Sequence, residues 1–187
     1  TPDGVADGYF VYPSLGSHAA VLVWPDILGL RPAFREMGKR LARSGYAVLV
    51  VNPFYRTAPS PVVGLGASFG DPAIREIVLP MARSLNADTH FTDARAFQAW
   101  LDQQPQVDTS RGIGTTGYCM GGPMVMRTVA AVPERFKAGG TFHGGGLATD
   151  SPDSPHLLIP QTTAAMLHAV AENDDANDPD AKVTLRE

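Results

Sequence analysis

Gly117-Tyr118-Cys119-Met120-Gly121-Gly122 stands between a short β-prone run, Ile113 to Thr116, and a helical run, Val125 to Val132. Together they read as a strand, a sharp turn and a helix with a polarisable nucleophile at the apex. A residue in such an elbow takes a strained backbone conformation, and side chains two positions to either side would collide there. Glycine at 117 and 121 removes both clashes. The turn sets Cys119 at a helix N-terminus, where backbone N–H groups and the helix dipole favour thiolate over thiol. Cys119 is the single cysteine, so no disulfide can form within the chain. A lone cysteine is commonly an inert core residue. The Gly-x-Cys-x-Gly-Gly setting turns the reading toward a nucleophile.

Upstream of the elbow the chain alternates strand and helix. Gly8 to Tyr12 is β-like before Pro13, and Ala19 to Trp24 is a continuous apolar run suited to a strand covered on both faces. A loop, Pro25 to Leu30, leads to Pro32, which suits a first helical turn; Phe34, Met37 and Leu41 then recur at helical spacing until Gly45. Ala47 to Val51 is a second buried strand, closed by Asn52-Pro53. Residues 53–72 form a long Pro-, Gly- and Ser-rich loop of the kind that covers a site. Helices are predicted over about 72–83 and 93–102, the second with Ala94, Phe97, Trp100 and Leu101 on its apolar face.

After the elbow come a strand over 138–142, a glycine turn at His143-Gly144-Gly145-Gly146, a polar loop and a strand over 164–170. Glu172-Asn173-Asp174-Asp175 follows, then a helix opening at Asp178-Pro179. This order predicts an α/β fold, a mostly parallel sheet with helices on both faces. The 187 residues show no repeat and no second composition regime, so a single domain over 1–187 is expected. In such sheets ligand sites gather at the carboxyl ends of the strands. Asp26, Cys119, His143 and Asp174 all fall on that edge, which is the main reason to expect an enzyme.

With 44% hydrophobic residues and a net charge of -4, the composition is that of an ordinary globular protein. No basic run or zinc-finger spacing suggests a nucleic-acid partner. No apolar stretch approaches the ~20 residues that span a bilayer. With one cysteine and no leader to read, the cytoplasm is the expected location.

The chain resembles the dienelactone hydrolase family of α/β-hydrolases nearly end to end. The resemblance is carried by the elbow, by Asp26-Ile27-Leu28-Gly29-Leu30, and by Phe142-His143-Gly144-Gly145 followed by Ala171-Glu172-Asn173-Asp174. It implies a Cys-His-Asp triad that opens small lactones or esters without metal or organic cofactor. Carried over by position, Cys119 is the nucleophile and Asp174 the acid that orients the histidine, with Asp175 the alternative. Backbone N–H groups of Met120 and Ile27 would hold the oxyanion. Asp26 matches a position usually held by a glutamate that assists the nucleophile; it also reads as a turn residue after Pro25. Arg75 falls where the family can bind a substrate carboxylate, and reads equally as a solvated helix residue. The family's tyrosine one turn later is Leu79 here, so a different small lactone or ester is at least as well supported as a dienelactone.

The triad order in α/β-hydrolases is nucleophile, acid, histidine. His18, His90, His143, His156 and His168 all precede Asp174, and residues 175–187 hold no histidine. The resemblance implies a further strand, a loop bearing the catalytic histidine and a closing helix, so the chain is expected to be a C-terminally incomplete domain. Of the histidines present, His143 lies on the correct edge but matches a family position that is not the base. His168 reads as a hydrogen-bonded core residue, His156 as a local cap, and His18 and His90 as surface residues. None has metal-ligand spacing. A non-catalytic protein using Cys119 as a redox-sensitive or ligand-binding thiol is the alternative function. A monomer or weak homo-oligomer is expected.

Overall fold

The computed structural model describes residues 1–186. Among the described residues six strands form one sheet: β1 Gly8–Val11, β2 Ala20–Trp24, β3 Ala47–Val51, β4 Ile113–Tyr118, β5 Phe136–Phe142 and β6 Ala165–Ala169, in the order β1-β3-β2-β4-β5-β6. Only β1 runs antiparallel, against β3; the remaining pairs are parallel. The continuous apolar runs of β2 and β3 are explained by burial on both faces. Ala20, Leu22 and Trp24 point with Ala47, Leu49 and Val51 into one core layer, while Val23, Val48 and Val50 point into the opposite one.

Helix α1, Pro32–Arg43, covers the second layer through Phe34 and Ala42. It lies so close to the sheet that a Cβ on Gly38 would come within 2.9 Å of Val50 Cγ2. The first layer is covered by α3, Ala87–Leu101, and α4, Gly121–Ala131. Helix α2, Pro72–Arg83, belongs to a third, small cluster in which Leu28, Val63 and Val78 meet. That cluster fastens the long loop and α2 to the Asp26–Leu30 turn. Two short helices, α5 Glu172–Asn177 and α6 Ala181–Thr184, follow β6.

The mostly parallel sheet with helices on both faces agrees with the sequence reading. Three details differ. Helix α3 starts at Ala87 rather than near 93, because Asn86 caps it: Asn86 Oδ1 accepts the Thr89 N–H and Thr89 Oγ1 accepts the Asn86 N–H. The helix expected to open at Asp178-Pro179 is preceded by another, Glu172–Asn177, and itself spans Ala181–Thr184. The polar loop after β5 contains a 3-10 helix at Pro155–Gln161.

Candidate active site

Strands β4 and β5 end side by side, and each is followed by a non-glycine residue in the left-handed region, Cys119 at φ 52° and His143 at φ 55°. Such conformations are costly and persist where the surroundings impose them. The Cys119 N–H donates to the Phe142 carbonyl at 2.9 Å, and the His143 N–H to the Ala169 carbonyl at 2.9 Å, so each apex hangs on the next strand. Glycine is required around the first apex. A Cβ on Gly117 would stand 2.2 Å from the Gly121 carbonyl oxygen, and one on Gly121 would stand 2.6 Å from that of Trp24. Gly122 packs on Gly144, joining the two turns.

The Cys119 sulfur is partly buried, and the backbone N–H groups of Met120 and Ile27 act on it in the direction that favours thiolate. These are the two donors expected for an oxyanion. The electrostatic outcome differs from the sequence reading, which favoured thiolate. Burial, the largest effect, pushes the thiol above its ordinary range; the Met120 N–H opposes this, the carboxylates of Asp26 and Asp174 add to it, and the Ile27 N–H opposes it more weakly. The helix terminus does not overcome desolvation and two nearby negative charges.

Asp26 is engaged on both oxygens. Arg31 Nη1 donates to Oδ1 at 2.6 Å and Nη2 to Oδ2 at 2.8 Å, while the Leu28 N–H donates to Oδ1 at 2.9 Å. Asp174 and Asp175 face different partners. His143 Nδ1 donates to Asp174 Oδ2 at 2.7 Å, whereas Lys182 Nζ donates to Asp175. Arg75 lies in the first turn of α2, half-buried, and among the described residues no ion pair holds its guanidinium. Its helix packs on the Ile27-bearing turn through Ile74 and Val78.

The structure therefore gathers Cys119, Met120, Ile27, Asp26 and Asp174, and adds His143 to the last of these. Arg31 escaped the sequence reading; its only signal was an arginine immediately before the Pro32 that opens α1. His90 was read as a surface residue and is instead buried beside Arg127. His168 bonds Thr141 and His156 bonds Ser154, each a local structural contact. Among the described residues no group of three or more His, Cys, Asp or Glu is placed to hold a metal. Among those residues, too, no helix is long and apolar enough to cross a membrane.

A mostly parallel sheet whose fourth strand delivers a cysteine in the left-handed region to a helix N-terminus is the α/β-hydrolase arrangement. Residues 6–187 match the dienelactone hydrolase family, and the chain belongs to it. It is 31% identical over 156 residues to a carboxymethylenebutenolidase homolog of Mus musculus, covering 83% of this chain and 56% of that protein. It is 29% identical over 118 residues to the carboxymethylenebutenolidase of Pseudomonas sp. strain P51, covering 63% of this chain and 47% of that protein. The match thus spans about half the length of these relatives. In fold it is similar to a putative dienelactone hydrolase from Klebsiella pneumoniae, with a TM-score of 0.73 at 19% identity over 97% of this chain and 75% of that one. A dienelactone hydrolase from Anabaena variabilis superposes with a TM-score of 0.67 at 21% identity, covering 97% and 76% of the two chains.

Proposed function

We propose that this chain carries the nucleophile, oxyanion hole and triad acid of a hydrolase acting on small lactones or esters. Cys119 Sγ attacks the carbonyl carbon, and the carbonyl oxygen takes up negative charge against the N–H groups of Met120 and Ile27. Collapse of the tetrahedral intermediate breaks the carbon–oxygen bond of the leaving alkoxide, which takes the proton that the histidine base removed from the thiol, and leaves a thioester on Cys119. Water then attacks the thioester and releases the carboxylic acid and the thiol. Asp174 is the acid that orients the histidine base.

In this reading a histidine is the base, as the resemblance implies, and His143 serves to hold Asp174.

The observation that carries the proposal is a left-handed Cys119 whose sulfur already faces two backbone donors from different loops. The intact protein should release p-nitrophenolate repeatedly from p-nitrophenyl acetate and show one added acetyl group, on Cys119, by mass spectrometry. Cys119→Ala should lose both signals. Turnover by Cys119→Ala at the rate of the unaltered protein would overturn the reading.

A further inference from the structure

The Ile27 donor sits in a turn tied together by one side chain. The Leu28 N–H is taken by Asp26 Oδ1 and the Gly29 N–H by the Asp26 carbonyl, each at 2.9 Å. Ile27 is left as the residue of this turn whose N–H faces Cys119. Both carboxylate oxygens of Asp26 are gripped by Arg31 in a two-pronged pair, and Arg31 Nη1 also reaches the Gly29 carbonyl at 3.3 Å. Planar, two-point recognition of this kind fixes orientation as well as distance.

The root of the clamp is equally fixed. Arg31 caps the N-terminus of α1, where its carbonyl accepts the N–H groups of Phe34 and Arg35, and Pro32 follows it. Its guanidinium lies 5.0 Å from the ring centroid of Phe34, a buried residue of the α1–sheet layer. Each side chain of the pair is only about a quarter exposed, at 23% for Arg31 and 24% for Asp26, so solvent screens the pair incompletely. With both oxygens occupied, Asp26 is placed to act through the turn rather than as an acceptor of the thiol proton.

We propose that Arg31 is a positioning residue for acyl transfer: through its grip on Asp26 it holds the turn so that the Ile27 N–H points at the oxygen on which negative charge develops, and it offsets the Asp26 charge beside Cys119. The proposal rests on the hydrolase reading above. An oxyanion donor is effective only when fixed in advance, so loosening the turn slows the chemical step rather than binding.

The test follows acylation of Cys119 by p-nitrophenyl acetate and, separately, its alkylation by iodoacetamide as a function of pH. Arg31→Ala is expected to lower the acylation rate constant about 10- to 100-fold with KM within about twofold. Arg31→Lys keeps the charge but not the fork and recovers part of the loss. Arg31→Ala is expected to move the alkylation midpoint upward, because the Asp26 charge is then uncompensated, and Asp26→Asn with Arg31→Ala to bring it back. If Arg31→Ala does not fold, Arg31→Lys carries the same comparison and is expected to stay several-fold below the unaltered protein. Unchanged acylation and an unchanged alkylation profile in folded Arg31 variants would overturn the clamp and leave the hydrolase reading standing. Failure of the unaltered protein to acylate at Cys119 would strike the hydrolase reading instead, while the alkylation profile would still decide whether Arg31 controls the charge at Cys119.

Discussion

His143 Nδ1 and Asp174 Oδ2 stand 2.7 Å apart across 31 residues of chain. The carboxylate accepts, so Nδ1 carries a proton. Asp174 is also held from its own side, by the Ala171 N–H at 3.3 Å. A carboxylate fixed from two directions can orient a histidine, whereas Asp175 is turned toward Lys182.

The roles assigned above predict unequal losses. Asp174→Asn should lower kcat for p-nitrophenyl acetate by about 10²-fold or more, since a disoriented base transfers protons poorly. His143→Ala should cost about tenfold or less, because Asp174 keeps its backbone contact and its position after β6. Equal losses in the two variants would make His143 the base itself.

The sheet was legible because burial on both faces writes itself as unbroken apolar runs, as in Ala20–Trp24 and Ala47–Val51. The elbow was legible because a strained apex requires glycine at fixed offsets, and Gly117 and Gly121 supply it between a strand-like and a helix-like run. The start of α3 was not, since Asn86 and Thr89 cap it through side-chain hydrogen bonds that leave no apolar period. Nor was the protonation of Cys119. The helix N-terminus is visible in sequence, but the burial of the sulfur and the approach of Asp26 and Asp174 depend on three loops meeting. Arg31 escaped for the same reason: a two-pronged contact with Asp26 has no periodicity to betray it.

Gly117→Ala should unfold the elbow rather than adjust it. The added Cβ would meet the Gly121 carbonyl oxygen at 2.2 Å and Val125 Cγ2 at 2.8 Å, and neither can retreat without moving α4 from the sheet. A loss of about 3 kcal/mol or more is expected, at the far end of single-substitution effects. Urea denaturation followed by circular dichroism measures it. A variant within about 1 kcal/mol of the unaltered protein would show that the elbow relaxes more freely than its contacts imply.

Asp93 is almost completely buried on α3 and accepts from Tyr55 Oη at 2.8 Å and from Arg56 at 2.7 and 2.8 Å. Arg56→Leu would leave that carboxylate without its cation, a change typically costing about 3–5 kcal/mol. Arg56→Leu combined with Asp93→Leu should recover much of the loss, because the penalty comes from the orphaned charge rather than from the missing attraction. Denaturation midpoints of the single and double variants decide this. A double variant no more stable than Arg56→Leu would mean that the pair itself, with its bond to Tyr55, supplies the stability.

His90 sets a limit on stability in acid. Its ring is buried, and Arg127 Nη1 donates to Nδ1 at 3.0 Å, so the folded protein holds a neutral imidazole. Burial, followed by the nearby cations of Arg127 and Arg56, drives its pKa down to about 3 from an ordinary 6.5. Between those values the unfolded chain binds a proton that the folded chain refuses. The contribution of His90 is therefore complete above about pH 6.5 and is lost progressively as the pH falls toward 3. By pH 4.5 the expected loss from this group is roughly 3 kcal/mol. His90→Gln keeps an acceptor for Arg127 but cannot titrate, so its urea midpoint should fall less between pH 7 and pH 4.5 than that of the unaltered protein. Equal falls in the two proteins would assign the acid sensitivity to other groups and show that His90 is protonated in the folded state without penalty.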